Sequence, residues 1–390
     1  MSTWAGAVEG VRSFGRLALG LSPWAPARGP DSLGELTQEY LTRVLASSVP
    51  DARVTQFAPV ETTSGTTNRH RLKLEWNAAG AAAGLPETVF LKSTPLVGRN
   101  RALCSVLRMP SNELDFYRLV RKEVPSVAPE AYGMTYGSGA RFLLLLEDVA
   151  VSGGVTYSLA EEAELRHFEG LVDSLATLHA AFWDSPRFGG DLRWVKPQRQ
   201  RPGYGMLTAL FKACRRKVLR SDRAIPEPAR RLTELLSREA RTLARLFEHG
   251  PRTFAHGDTH AGNTFALGNG TAGFLDWQVV HQVHGVRDVA YLLCVSMPTE
   301  LRRSNERDLI NRYVVRLAER GVRDLDEETA WELYRIFAID GWDAVVTTAA
   351  FAGLQDPENV ERAFERGLAT VLDLDCLDAI ERALARGRLA

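Results

Sequence analysis

The apolar positions of this chain change period near residue 150. Between Pro50 and Glu147 they fall in short runs of strand character: Val54–Val60, the alternating stretch Arg69–Trp76, Thr88–Lys92, and Arg141–Glu147 with its apolar core Phe142–Leu146. A Gly/Ala-rich stretch at 78–84 reads as a loop between the second and third of these. Asp31-Ser32 is placed to cap a helix carrying Leu33, Leu36, Tyr40, Leu41 and Val44, and Ser111–Lys122 predicts another. Beyond residue 150 helical spacing takes over. Leu165, Phe168, Leu171, Val172, Leu175, Leu178 and Phe182 form one stripe, and Leu232, Leu235, Leu236, Leu243, Leu246 and Phe247 a second. Short strands at Arg252–Ala255 and Gly273–Leu275 interrupt, and from Asn305 onward the pattern is helical. A mixed sheet followed by a mainly helical region predicts an α+β fold in two lobes. The expected division is an arm over 1–30, one lobe over 31–148 and a larger helical lobe over 149–390, parted where Ser152-Gly153-Gly154 loosens the chain.

Composition narrows the function classes. The 390 residues are 45% hydrophobic and 25% charged, which fits a folded globular protein and not a disordered one. Lys and Arg number 48 and so do Asp and Glu, so the chain lacks the basic excess of a general nucleic-acid binder. No apolar run reaches the roughly 18–20 residues of a membrane span. Glu9, Arg12 and Arg16 break up any leader-like core, and the four cysteines are widely separated, so a reducing, cytoplasmic setting is expected. Only six of the basic residues are lysine, which makes each lysine conspicuous.

The chemistry concentrates in His256-Gly257-Asp258-Thr259-His260-Ala261-Gly262-Asn263, followed after a turn by Asp276-Trp277-Gln278. A carboxylate, an amide five residues on and a second carboxylate match the needs of phosphoryl transfer. Asp258 would orient a hydroxyl and take its proton, while Asn263 and Asp276 offer hard oxygens to Mg²⁺. The Asp258/Asn263 spacing equals that of the protein-kinase catalytic loop, with Gly257 in place of its arginine. Upstream, Lys92 ends an apolar strand, where an unpaired ammonium would be costly. Glu113 shares a helical face with Phe116, Tyr117 and Val120 and is the expected partner of Lys92.

The H-G-D-x-x-x-x-N and D-W-Q motifs resemble the aminoglycoside phosphotransferase and choline kinase superfamily, with the texture of its ecdysteroid-kinase-like branch. The resemblance spans roughly residues 33–375 and implies a kinase-like two-lobed fold, ATP with Mg²⁺, and a small-molecule hydroxyl as acceptor. It further implies that Ser64, Gly65 and Thr66 lie over the nucleotide phosphates. The backbone of Glu147 and Val149 would meet the adenine edge. His256 and Asp288 are implied as braces of the catalytic loop. The interval from Asp276 to Asp288 is too short for a protein kinase's activation segment, which disfavours a protein substrate.

Two patches bear on the acceptor. Residues 187–223 carry eleven basic and two acidic side chains, which read either as a solvated basic helix face or as a cap, through Arg216 and Arg220, on a pocket for an anionic or electron-rich acceptor. Asp340, Trp342 and Asp343 would instead line one for a polyol or amine, or else Trp342 is a core residue of its helix with the two aspartates at the surface. The two imply opposite acceptor charges. Two rivals remain for the activity itself: a nucleotide-binding regulator that has lost turnover, and a metal-dependent hydrolase using His256, Asp258 and His260. His179, on the apolar stripe of its helix, reads as a core histidine.

Overall fold

Strand alternation and helix stripes build two compact units, one taking in the chain up to Pro125 with Pro129–Gly153, the other Ser126–Ala128 with everything from Gly154. The computed structural model describes residues 29–64, 66–151, 153–351 and 355–389, with Gly15 and Ala18. Most of the expected arm over 1–30 lies outside the described residues, as do Gly65 and the side chain of Ser64.

The first unit is an antiparallel sheet of β1 (Val54–Ser64), β2 (Asn68–Trp76), β3 (Thr88–Ser93), β4 (Ala131–Tyr136) and β5 (Phe142–Glu147), in the order β1-β2-β3-β5-β4. Helix α1 (Gln38–Leu45) covers one face. Tyr40, Leu41 and Leu45 pack there on Leu72, Leu74, Val89, Leu91, Leu143 and Leu145. The cap of α1 is Thr37, whose hydroxyl accepts from Tyr40 N at 3.2 Å, and not Asp31-Ser32. Asp31 instead pairs with Arg141 at 2.6 Å, and Leu33–Glu35 form only a 3-10 turn. The 78–84 stretch is not all loop. Ala78–Ala82 form a short helix, α2, because alanine is the best helix former and Asn77 caps it, accepting from Gly80 N at 3.1 Å. Helices α3 (Gly98–Leu107) and α4 (Met109–Leu119) complete the unit, the latter ending three residues before the predicted Lys122.

The period of two in β3 decides what Lys92 does. Val89 and Leu91 join the core under α1, so Lys92, paired in register with Leu144, points to the opposite face.

In the second unit two small sheets, β6-β8-β9 and β7-β10, are set among helices: β6 (Val155–Thr156), β7 (Thr253–Ala255), β8 (Thr264–Ala266), β9 (Ala272–Phe274) and β10 (His281–Val283). The helices are α5 (Leu165–Ala181), α6 (Tyr204–Leu219), α7 (Glu227–Arg238), α8 (Ala240–Leu246), α9 (Val286–Ser296), α10 (Thr299–Glu319), α11 (Glu327–Ala350), α12 (Pro357–Asp373) and α13 (Cys376–Arg386). The stripe from Leu232 to Phe247 is two helices, because Glu239 leaves helical geometry at ψ 12°. Every residue of α9 is buried, which makes it the central helix of this unit. Among the described residues no helix is long and apolar enough to cross a membrane.

Candidate active site

In the first unit the Lys92 ammonium meets both oxygens of Glu113, at 2.6 and 2.8 Å, and both side chains are almost wholly buried. The pair exists because β3 turns Lys92 away from the α1 core and α4 presents Glu113 on its apolar face. Elsewhere in this unit, Thr66 lies in the β1–β2 turn and its carbonyl accepts from Cys104 Sγ at 3.6 Å. Glu147 closes β5, its carboxylate accepting from Glu130 N at 3.1 Å, and Val149 is buried just beyond.

In the second unit β7 delivers the chain into 256–263. The backbone of this loop is held by one carboxylate, Asp288 on α9, which accepts from His256 N at 2.6 Å and Gly257 N at 3.1 Å. Burial pushes the Asp288 carboxyl up, but a hydrogen bond from His179 and the Arg287 charge outweigh it and hold it below the usual range. His179 is indeed a buried core residue, bonded at 2.8 Å to Tyr313 and at 3.4 Å to Asp288. Gly257 has φ 89°, and a Cβ there would lie 2.6 Å from the carbonyl oxygen of Val279. Glycine is therefore required where the protein-kinase loop carries arginine.

His256 donates from Nε2 to Leu275 O at 2.9 Å and accepts at Nδ1 from Asp258 N at 3.1 Å. Both ring nitrogens are thus committed to backbone, and burial lowers its pKa, keeping it neutral. A zinc-ligand role for His256 would break the loop that positions Asp258, which is the physical objection to the hydrolase reading.

Asp258 is held at each oxygen. Tyr291 Oη donates to Oδ1 at 2.9 Å, and Asn263 Nδ2 donates to Oδ2 at 3.2 Å and to the Asp258 carbonyl at 3.0 Å. With its nitrogen engaged there, Asn263 keeps its amide oxygen for a cation. Leu275 N donates to Asn263 O at 2.7 Å, extending the β8–β9 pairing and bringing the segment of Asp276 alongside. Asp276 itself sits in a left-handed conformation at φ 62°, a strained geometry for a non-glycine residue that costs of order 1–3 kcal/mol. One amide oxygen and one carboxylate form a hard, incomplete donor set, which fits Mg²⁺ shared with phosphate oxygens and water.

At Arg216, Arg220 and Trp342 the structure takes the reading without an acceptor pocket. Trp342 is wholly buried, donates to Thr233 Oγ1 at 2.9 Å and packs on Phe364, so it belongs to the core and walls no pocket. Asp343 is clamped by Arg215 through two 2.6 Å bonds, and Asp340 accepts from Arg287 Nε at 3.0 Å. Arg216 and Arg220 stand exposed on α6. The basic stretch is partly paired in space: Arg187 with Asp191, Arg199 with Glu248, Arg215 with Asp343 and Arg223 with Glu361.

A cavity of about 130 Å³ opens instead beside Asp258, His260 and Tyr291. Its walls are Leu159, Val295, Val345, Val360 and Ala363, with Thr348, Gln355 and Asn359 as neutral polar groups. A larger, shallow depression of about 590 Å³ near Trp183 and Arg320–Asp324 contains none of these residues.

Two neighbours of Asp258 carried no signal in the sequence. Tyr291 is one. The other is Arg201, from the segment tied to β10 through Gln282, which bonds Lys196 O at 3.1 Å and Val195 O at 2.5 Å. Burial, then the like charge of Arg287, press the Arg201 pKa down to about 10 against the pull of Asp258.

With this geometry in hand, the relatives are informative. The model of the ecdysteroid kinase-like family matches residues 66–326, about two thirds of the chain. The chain belongs to the ecdysteroid kinase-like family. No curated protein sequence matches it. Among solved structures it is similar to choline kinase from Cryptosporidium parvum Iowa II, at 13% identity and TM-score 0.50 over 90% of this chain and 97% of that one. Choline kinase LicA from Streptococcus pneumoniae follows at 12% identity and TM-score 0.47 (86% and 99% covered). A putative aminoglycoside phosphotransferase from Ralstonia eutropha JMP134 also matches, at 12% identity and TM-score 0.49 (86% and 98%). At such identities the likeness is one of fold: a kinase-like sheet unit followed by a mainly helical one, as the sequence predicted.

Proposed function

We propose that this protein transfers the γ-phosphoryl group of ATP to a hydroxyl of a small molecule, with Mg²⁺ as cofactor. The observation that carries this reading is the catalytic loop, in which Asp258 is fixed at both oxygens beside a cavity that a hydroxyl compound can enter. Asp258 would align the acceptor hydroxyl and take its proton as the oxygen bonds to the γ-phosphorus and ADP leaves. Asn263 and Asp276 would hold Mg²⁺, which supplies neutralisation of charge on the phosphates when bound. Lys92, fixed by Glu113, would hold the α- and β-phosphates. His256 and Asp288 would brace the loop, and Thr66, with Ser64 and Gly65, would lie over the phosphates. The adenine edge would meet the backbone of Glu147 and Val149. Positioning and electrostatics then supply most of the rate.

The cavity favours an uncharged acceptor with an apolar body. Its described walls carry one carboxylate, Asp258, and one imidazole, His260, with otherwise apolar or neutral polar groups, and Asp340 and Asp343 are already paired with arginines. The test is ADP release across neutral alcohols, sugars, nucleosides, choline and aminoglycosides. Asp258→Asn should lower transfer by about 10²–10⁴-fold with nucleotide affinity retained, the range expected for loss of a general base. Full activity in that variant refutes the mechanism. Nucleotide binding without ADP release from any acceptor in the panel would favour the regulator.

A further inference from the structure

Tyr291 lies three residues beyond Asp288 on α9, so the two side chains leave the same face of one helix. Asp288 takes the backbone of the catalytic loop, and Tyr291 takes its reactive side chain, donating to Asp258 Oδ1 at 2.9 Å. The phenol ring has little room to move. It is 7% exposed, and the Arg287 guanidinium lies 4.7 Å over its face while also bonding Gly257 O at 2.8 Å. Tyr291 and Asp258 line the same cavity.

We infer that Tyr291 is a positioning residue for transfer, fixing the rotation of the Asp258 carboxylate so that its remaining lone pairs meet the acceptor hydroxyl. This rests on the proposed role of Asp258 as base. Asn263 and, at 3.6 Å, His260 Nε2 both meet Oδ2, so without Tyr291 nothing else in this set holds Oδ1 and the carboxylate could turn about its Cβ–Cγ bond. Misplacement of a reacting group is expensive even when binding is intact. Burial, and then the Asp258 charge, push the Tyr291 phenol well above its ordinary value, so it stays a donor at neutral pH.

Tyr291→Phe keeps the ring and the Arg287 contact and deletes only the hydroxyl. The expected result is a fall in kcat of about 10–100-fold, in line with lost orientation, with acceptor KM and nucleotide affinity within about twofold and Tm nearly unchanged. A ligand-free crystal structure of the variant should show the Asp258 carboxylate rotated. Fluorotyrosines at 291, alike in shape but graded in donor strength, should shift kcat in step with phenol acidity, and they carry the test if the phenylalanine variant folds poorly. Wild-type kcat in Tyr291→Phe, an unmoved Asp258, or a fluorotyrosine series with no trend would each overturn the inference. Full activity in Asp258→Asn would instead overturn the underlying reading, so the two failures are distinguishable.

Discussion

Glu113 and Asp288 are fully buried carboxylates, one in each unit, and they are satisfied in opposite ways. Glu113 faces an ammonium at the end of a strand, two charges brought together by regular elements. Asp288 faces two backbone amides, a histidine and a neighbouring arginine, and through them shapes an irregular loop. An ion pair between a strand and a helix leaves both backbones to their own hydrogen bonds. A carboxylate that caps loop amides replaces hydrogen bonds which that loop cannot make for itself. The first arrangement holds a charge, and the second holds a backbone.

The sharpest way to break the comparison is Glu113→Ala, which removes one half of the buried ion pair with Lys92 and should cost about 3–5 kcal/mol in chemical denaturation. Joint replacement, Lys92→Met with Glu113→Leu, should recover that stability while ATP affinity measured by calorimetry is lost. Recovery of both would show that the pair is only structural. Next, Asp288→Asn should cost about 1.5–3 kcal/mol at neutral pH, the worth of hydrogen bonds to a charged group. Because the folded Asp288 pKa is depressed, its stabilisation is complete above the unfolded value of about 3.9 and fades as pH falls below it. The deficit of Asp288→Asn should therefore shrink below about pH 4 in denaturation curves, and a deficit independent of pH would refute the charge argument. The smallest effect is expected at the exposed arginines. Arg216→Glu with Arg220→Glu should change stability by no more than about 0.5 kcal/mol and leave acceptor KM unchanged. A large rise in KM would return the acceptor site to α6.

Some of the site was legible because its signals are local. The alternation in β3 is enough to turn Lys92 off the core face, and the spacing of Asp258, Asn263 and Asp276 is written in nineteen consecutive residues. The resemblance carried by those motifs agreed with the family to which the chain belongs. Trp342 and Tyr291 were not legible, for one shared reason. Helix α9 is buried around its whole circumference, and in α11 only Glu327 and Glu328 are exposed, so apolar spacing marks no sharp face. A tryptophan in the core and a tyrosine aimed at a carboxylate look alike in such a sequence. The 187–223 stretch misled differently, since Arg215 and Asp343 are 128 residues apart and Arg199 and Glu248 are 49 apart. Local charge counts cannot see partners at that distance.

The sequence by itself therefore determined the two-part α+β plan, the family, and a catalytic loop with its candidate cation ligands, because period and short-range spacing are properties of neighbouring residues. Only the tertiary structure decided how charge is balanced and what surrounds Asp258. It joined Asp288 to the loop thirty-odd residues upstream and aimed Tyr291 at Asp258. It also paired the carboxylates that seemed free to bind an acceptor. Those outcomes depend on which buried polar groups meet once the helices pack, and every buried charge must find its partner there or not be buried at all.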